Sequence, residues 1–412
     1  MHRSESSPNN PASRRKFMKY ASMFAAAPLF GEAQFARAAM AASKASGKVG
    51  AVSLGPTAMP ADAVLINANE NPLGPCKGAL DAITAIAPMG GRYDWYGETD
   101  KLTKTFAAQH NLKPEYVAVY AGSSEPLHYT VLAFTSPKRS FVTADPSYEA
   151  GMYGAMASGA NIFKVKLTAD YAHDVKALVA ADENAGVIYI CNPNNPTGTI
   201  TSKKDILWAL ENKPKGSILL VDEAYIHLSD AEDVLDQVAA DKDLIVLRTF
   251  SKVYGMAGIR CGMALGRPDL LKKLQRYGQN PMVVTGAVAA NVSLQDAELV
   301  PSRKKIIGDI RKDTISWLKT NNYKVIGDSQ SNCFMIDTGR PGKSVIAAMQ
   351  AKNVYIGRTW PIWPNAVRIT VGSPSDMAKF KTAFKEVMDA PAPATAASVA
   401  PTVEMRDGVR LV

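Results

Sequence analysis

The chain contains 412 residues, of which 47% are hydrophobic and 21% are charged, a composition typical of a folded globular protein. A chain of this length favours two domains over one. The formal net charge is +9, but residues 1–44 hold seven Lys or Arg against two Glu. No basic block follows, which argues against a nucleic-acid partner. The cysteines and histidines show no metal-ligand spacing, so no metal site is expected.

Residues 1–44 show the three regions of an export signal in order. Residues 13–19, S-R-R-K-F-M-K, resemble the twin-arginine signal S-R-R-x-F-L-K at nearly every position. A mildly apolar run, 20–30, and a small-residue cleavage site, 36–38, come next. The apolar run is too short to span a bilayer, so no stable membrane anchor is expected. The segment predicts export of a folded protein to the periplasm by the twin-arginine machinery.

Short apolar runs alternate with helical patterns through the middle of the chain. This alternation predicts an α/β domain with a mostly parallel sheet that helices cover on both faces. Ligands of such sheets bind beyond the carboxyl ends of the strands, so the residues after each run are the candidates for a site. The predicted strands are 116–120, 140–144, 161–165, 187–190, 218–221, 244–247 and 261–265. Cys191 and Cys261 fall in such apolar contexts and are expected to be buried free thiols.

Polar residues follow four of these runs. Residues 121–125, Ala-Gly-Ser-Ser-Glu, open a helix whose free amides could bind a phosphate, although Gly-Ser-Ser loops are common. Tyr148 could stack on a planar ligand or simply belong to the core. Asn195 lies in a loop of two prolines and a glycine that would fix its amide as a donor. Asp222 places a carboxylate at a strand end, where a helix N-cap is the alternative.

The run 244–247 ends in Thr249, Ser251 and Lys252, with Arg260 eight residues after the lysine. A lysine at a strand end can have its pKa lowered until the amine becomes a nucleophile for carbonyls. The hydroxyls and the arginine would suit a phosphate on the same ligand. An aldehyde that carries a phosphate describes pyridoxal phosphate (PLP). The alternative is a surface turn with a solvated lysine.

Three motifs occur in one order: N-P-N-N-P-T-G at 192–198, D-E-A-Y at 222–225 and S-K-x-x-x-x-x-G-x-R at 251–260. Together they closely resemble the histidinol-phosphate aminotransferase branch of the fold-type I PLP-dependent aminotransferases, over roughly residues 64–387. The resemblance implies a homodimer, a large PLP-binding domain with a mostly parallel sheet, and a smaller α+β domain. We expect the large domain at 93–295 and the small one at 48–92 and 301–389.

The resemblance also assigns the residues around PLP. It implies Lys252 as the covalent attachment, Asp222 at the pyridine nitrogen, and Asn195 and Tyr225 at the phenolate oxygen. Tyr148 would stack on the ring, and Tyr93 would reach the site from the partner subunit. The phosphate would be held by Ser123, Ser124, Thr249, Ser251 and Arg260, with the adjoining Glu125. A carboxylate about 4 Å from the ring nitrogen would contribute about 4 kcal/mol, or about three pKa units, toward its protonation. Lys252, displaced by substrate, would move protons at Cα, and Tyr225 completes the catalytic set.

Beyond residue 301 the pattern changes to a helix at 303–320, short strands at 323–326, 333–337, 354–357 and 367–372, and a helix that ends at 389. Arg368 interrupts an apolar strand, and its planar guanidinium suits a substrate α-carboxylate, with a structural salt bridge as the alternative. The Ala/Pro-rich residues that follow predict an unstructured tail at 390–412.

The resemblance further assigns Asn71, Asn332 and Arg358 to substrate. Two departures concern the pocket: Arg358 is shifted by one residue from the family's second arginine, and residues 54–63 lack the family's tyrosine. Trp360 and Trp363 either line the substrate pocket or cover the core.

We therefore expect an exported aminotransferase that acts on an α-amino acid and a 2-oxo acid. Histidinol phosphate has no α-carboxylate for Arg368, and histidine synthesis is a cytoplasmic task. The alternatives are histidinol-phosphate transamination, another PLP reaction such as decarboxylation or racemisation, and a non-catalytic periplasmic binding protein.

Overall fold

The computed structural model describes Pro60, residues 62–278 and 281–391, and the backbone of 409–411. The predicted export signal and most of segment 54–63 lie outside the described residues. By their contacts, Ala58–Val412 form one unit, so the boundary between a large and a small domain stays a prediction. Among the residues described, no helix is long and apolar enough to cross a bilayer.

Thirteen strands form three sheets within the described part of the chain. They are β1 Val64–Ile66, β2 Val117–Tyr120, β3 Ser140–Asp145, β4 Ile162–Lys166, β5 Ala185–Cys191, β6 Ile218–Asp222, β7 Leu244–Thr249, β8 Gly262–Gly266, β9 Lys324–Ile326, β10 Cys333–Asp337, β11 Val354–Ile356, β12 Ala366–Thr370 and β13 Val409–Leu411. The large sheet has the order β13-β4-β3-β5-β6-β7-β8-β2, and only β8 runs antiparallel to its neighbours. Strands β1 and β11 form a parallel pair, and β12-β10-β9 an antiparallel sheet.

Helices connect most of these strands. They are α1 Lys77–Ile86, α2 Glu98–Gln109, α3 Ser124–Phe134, α4 Ala150–Ser158, α5 Val175–Ala180, α6 Lys203–Asn212, α7 Leu235–Ala239, α8 Pro268–Leu274, α9 Val284–Gln295, α10 Leu299–Thr320, α11 Gly342–Ala351 and α12 Pro374–Asp389. Helix α10 begins four residues before the predicted start, because Pro301 lies in its first turn, where no main-chain N–H is needed. Helix α12 begins with a capping box between Ser373 and Asp376.

The central strands β5 and β6 are buried along their whole length, and their side chains alternate between two cores. Tyr189 and Leu220 belong to one core cluster, and Ile190 and Val221 to the other. The parallel register places Asp222 beside Cys191 on β5 and Leu247 on β7. The carboxyl ends of these three strands are therefore aligned, and the loops after them meet at one edge of the sheet.

The predicted α/β fold with a mostly parallel sheet is confirmed. The structure differs from the predicted unstructured tail at Val409–Leu411, which pair with β4. The Ala/Pro-rich composition of the preceding residues contained no signal for this strand. No disulfide joins Cys76, Cys191, Cys261 and Cys333, all of which lie in the described residues, and Cys191 and Cys261 are buried thiols as predicted.

Candidate active site

Lys252 lies in the loop after β7, at the carboxyl edge of the large sheet. Its Nζ donates a hydrogen bond to the main-chain carbonyl of Asn69 at 3.1 Å. The same ammonium lies 5.3 Å from the centre of the Tyr225 ring. The amine is therefore held between the Asn69 loop, which follows β1, and the D-E-A-Y loop, which follows β6.

Asp222 is the last residue of β6 and is only 2% exposed. Its Oδ2 accepts a hydrogen bond from the Tyr189 hydroxyl at 2.9 Å, and its Oδ1 accepts one from the Ala224 main-chain N–H at 3.1 Å. Burial raises the pKa of Asp222 to about 6, although both donors and the charge of Lys252 act to lower it. A buried carboxylate with this pKa gains more than a solvated one from a cation placed against it.

Arg368 and Asn195 form a second buried group. Arg368 is 1% exposed, and its guanidinium donates to Asn195 Oδ1 at 2.9 Å and to the Asn67 carbonyl at 2.7 Å. Because Asn195 Oδ1 accepts from the arginine, its amide nitrogen is oriented as a donor. Tyr225 is 4% exposed, and its hydroxyl accepts from Asn69 Nδ2 at 2.9 Å. The loop after β1 thus contacts Arg368 through the Asn67 carbonyl and Tyr225 through the Asn69 side chain.

The polar residues after β7 meet the beginning of α3. Thr249 Oγ1 donates to Ser251 Oγ at 2.9 Å, and Arg260 donates to Ser251 Oγ at 3.5 Å. A Cβ placed on Gly122 would lie 2.2 Å from Arg260 Nη2. The glycine therefore lets the guanidinium approach the loop that precedes the helix.

Ser123 is the N-cap of α3, its side chain makes no capping hydrogen bond, and Ser124 is the first helical residue. Free amides of a helix start, hydroxyls and a guanidinium are the donor set that binds a phosphate. Glu125 lies in the first turn, where burial raises its pKa and the charge of Arg260 opposes that effect.

Trp360 joins the two arginines near the site. It is fully buried, and the guanidinium carbons of Arg358 and Arg368 lie 4.1 and 5.6 Å from its ring centroid. Arg358 also forms an ion pair with Glu149, which directly follows Tyr148. Trp360 and Trp363 both belong to a small core cluster, so the aromatic loop covers the core. The indole is also the surface on which both guanidinium groups rest.

Three further predicted site residues are Tyr148, Tyr93 and Asn332. Tyr148 is partly buried against the core cluster that contains Tyr189. Tyr93 is 74% exposed, and its contact with a partner subunit stays a prediction. Asn332 donates to the carbonyls of Asn69 and Glu70, and its buried Oδ1 has no partner among the described residues.

The structure places the predicted substrate residue Asn71 against the loop that carries Lys252, and its contact with substrate stays a prediction. Its Nδ2 donates to the main-chain carbonyls of Lys252 and Val253 at 3.0 and 2.9 Å, and its Oδ1 accepts from the Leu73 N–H. The polar atoms of the Asn71 side chain are hydrogen-bonded to main-chain atoms. Asn71 therefore positions the lysine loop.

Two residues of the site were not predicted from the sequence. Asn69 contacts Lys252, Tyr225 and Asn332, and its φ of 54° lies in the left-handed region that asparagine tolerates. In the sequence, its position between Asn67 and Asn71 indicated only weakly that it belongs to the site. Tyr189 lies inside an apolar run, where a hydroxyl that bonds Asp222 cannot be told from a core tyrosine.

These residues fit PLP. Lys252 provides the amine, Asp222 a buried carboxylate for the ring nitrogen, and Asn195 and Tyr225 polar atoms beside it. Glycine at 122 and 262 keeps the phosphate end open, since a Cβ on Gly262 would lie 2.5 Å from the Ser123 nitrogen. In the described part of the chain, no cluster of three or more His, Cys, Asp or Glu side chains could hold a metal ion.

The sheet topology and this donor set define a fold-type I PLP-dependent enzyme. The model of the class I and II aminotransferases matches residues 61–384, and the chain belongs to that family. The protein is therefore a PLP-dependent transaminase. The predictions of fold, cofactor and enzyme class are confirmed.

Known relatives are similar over most of their length. The chain is 31% identical over 334 residues to the histidinol-phosphate aminotransferase of Symbiobacterium thermophilum, covering 79% of this chain and 91% of that protein. It is 30% identical over 319 residues to the aromatic amino acid aminotransferase of Cutibacterium acnes, covering 76% and 88%. The histidinol-phosphate aminotransferase of Sinorhizobium meliloti in complex with PLP superimposes with a TM-score of 0.72 at 24% identity, covering 78% and 90%. That likeness shows the shared fold.

Proposed function

We propose that this aminotransferase transfers an amino group between an α-amino acid and a 2-oxo acid. The observation that carries the proposal is Arg368, a buried guanidinium fixed by Asn195 and the Asn67 carbonyl. Its planar fork matches a carboxylate, and both an α-amino acid and a 2-oxo acid present one. A substrate carboxylate bound there would lie beside Asn195, which belongs to the cofactor set.

Residues of the chain would carry out proton transfer and stabilise the cofactor's charge. Bound PLP supplies an electron sink for the charge that develops at the substrate Cα. With substrate bound, the Lys252 amine would take the Cα proton as general base and give it back as general acid. Asp222 would place its negative charge against the ring nitrogen of bound PLP. The Asn69 carbonyl, which accepts a hydrogen bond from Lys252 Nζ at 3.1 Å, holds the amine at the edge of the site.

Histidinol phosphate is the second candidate substrate, because several relatives carry its name. One observation opposes it. Arg358, the arginine nearest the family's second position, is paired with Glu149. A phosphate dianion at Arg358 would face the Glu149 carboxylate, and like charges at such distances repel. Histidinol phosphate also lacks the carboxylate for Arg368.

We further propose that the enzyme is exported and dimeric. Residues 13–19 support export through the twin-arginine route, which would separate the enzyme from phosphorylated cytoplasmic intermediates. Tyr93 and Trp95, which are 74% and 80% exposed, support a second copy of the chain at this surface. Light scattering on purified protein tests the dimer.

The substrate proposal is tested by kcat/KM on one purified enzyme preparation. Histidinol phosphate is compared with a panel of α-amino acids that includes aromatic ones, at a fixed concentration of 2-oxo acid. The proposal expects at least one amino acid to exceed histidinol phosphate. If histidinol phosphate is preferred by orders of magnitude, the assignment of the pocket is wrong.

A further inference from the structure

We propose that Tyr189 is a positioning residue for the cofactor, acting through Asp222. Its hydroxyl donates to Asp222 Oδ2 at 2.9 Å. The inference concerns PLP at Asp222, so it does not depend on which amino acid the enzyme accepts.

The strand register creates this contact. Cys191 on β5 is the direct neighbour of Asp222 on β6. Side chains of a strand alternate between its faces, so Tyr189, two residues before Cys191, lies on the same face as Asp222 and one diagonal step away. Both side chains are buried, with Tyr189 fully enclosed and Asp222 2% exposed. Water therefore cannot replace the hydroxyl.

Tyr189 remains a donor throughout the working pH range. Burial, with the nearby Asp222 charge, raises the pKa of the tyrosine well above its ordinary value. Burial likewise raises the pKa of Cys191, the other titratable group of β5 beside Asp222. Lys252 is the cation that faces the carboxylate. The protonated phenol thus donates to Asp222 Oδ2, while Asp222 Oδ1 accepts from the Ala224 N–H.

Two consequences follow for the cofactor. The hydroxyl favours the ionised carboxylate, which burial alone would oppose. Donors on both oxygens also fix the plane of the carboxylate, so its remaining lone pairs keep one direction. Without Tyr189, Asp222 would hold a pyridinium nitrogen less firmly. The ring nitrogen of bound PLP would then be protonated less firmly. The ring would draw less electron density from the Lys252 nitrogen, to which PLP is attached.

The test uses the holoenzyme with Tyr189→Phe, which keeps the ring and its packing. We expect the dissociation constant of PLP to rise by roughly tenfold or more, the effect typical of a hydrogen bond to a charged group. The pH at which the visible absorbance of the bound cofactor changes should move upward. Tyr189→Leu removes the same hydroxyl, and either variant that folds, as judged by thermal melting, is sufficient.

Tyr120→Phe is the matched control. The Tyr120 hydroxyl is also buried, but it has no hydrogen-bond partner in the described part of the chain, so its loss should change neither readout. In an Asp222→Asn background, Tyr189→Phe should change PLP affinity by less than about twofold. Wild-type PLP affinity and an unchanged absorbance profile in Tyr189→Phe would overturn the proposal. An undiminished effect in the Asp222→Asn background would overturn it as well.

Discussion

Asp222→Asn is expected to stabilise the cofactor-free protein while it impairs catalysis. The pKa of Asp222 is raised from 3.8 to about 6 by burial. The folded state therefore binds this proton more tightly than the unfolded chain does. The free energy of unfolding must fall as pH rises from about 4 to about 6, and it stays lower above that range. A difference of about two pKa units corresponds to about 3 kcal/mol.

The assay is chemical denaturation of cofactor-free wild type and Asp222→Asn at pH 4 and pH 7.5. At pH 7.5 the variant should be the more stable protein, by up to about 3 kcal/mol, and the gap should close toward pH 4. Other groups titrate equally in both proteins, so the difference isolates Asp222. Asp230→Asn, at a side chain that is 84% exposed, is the matched control; because Lys304 lowers the pKa of Asp230, this variant should gain no stability at pH 7.5. A variant less stable than wild type at pH 7.5 would show that the buried charge of Asp222 does not destabilise the cofactor-free protein.

The same substitution removes the partner of the pyridine nitrogen in the holoenzyme. A charge pair at about 4 Å contributes about 4 kcal/mol at an effective dielectric of about 20. The rate of Cα proton abstraction should therefore fall by roughly two to three orders of magnitude. PLP binding should weaken but stay detectable, because the phosphate contacts are intact. Single-turnover rates near those of wild type would contradict the role of Asp222.

Four further results are expected. Lys252→Ala should abolish transamination with the fold intact, and borohydride should no longer fix PLP covalently; a labelled variant would exclude Lys252 as the attachment site. Arg368→Ala should raise the KM of the amino donor sharply, whereas an unchanged KM would remove the carboxylate from that position. Glu149→Gln should raise kcat/KM for histidinol phosphate severalfold, since it removes a like charge beside the phosphate, and an unchanged value would show that no phosphate approaches Arg358. Replacing Arg14 and Arg15 by lysine should leave active, cofactor-loaded precursor in the cytoplasm, and undiminished periplasmic activity would show that this segment is not the signal.

The fold was largely predictable because its strands are buried on both faces. Fully buried parallel strands appear as continuous apolar runs, and the predicted run 244–247 lies inside β7, Leu244–Thr249. Boundaries were less predictable. Helix α10 includes Pro301, and strand β13 has only three residues whose pairing depends on an edge of the sheet far away in sequence.

The site residues were predictable where a polar residue directly follows a predicted strand. Asp222 and Lys252 lie at adjacent strand ends, so position and chemistry could be inferred together. Asn69 escaped this reasoning because its contacts join residues more than 150 positions apart. The pairing of Arg358 with Glu149 is likewise a product of packing on Trp360, and no local pattern encodes it.

The most direct test is a single turnover of the purified holoenzyme with α-amino acids and no acceptor. We expect one equivalent of 2-oxo acid per subunit, with the amino group retained on the enzyme until a 2-oxo acid is added. Release of carbon dioxide, formation of the D-amino acid, or absence of any product from PLP-loaded protein would contradict it.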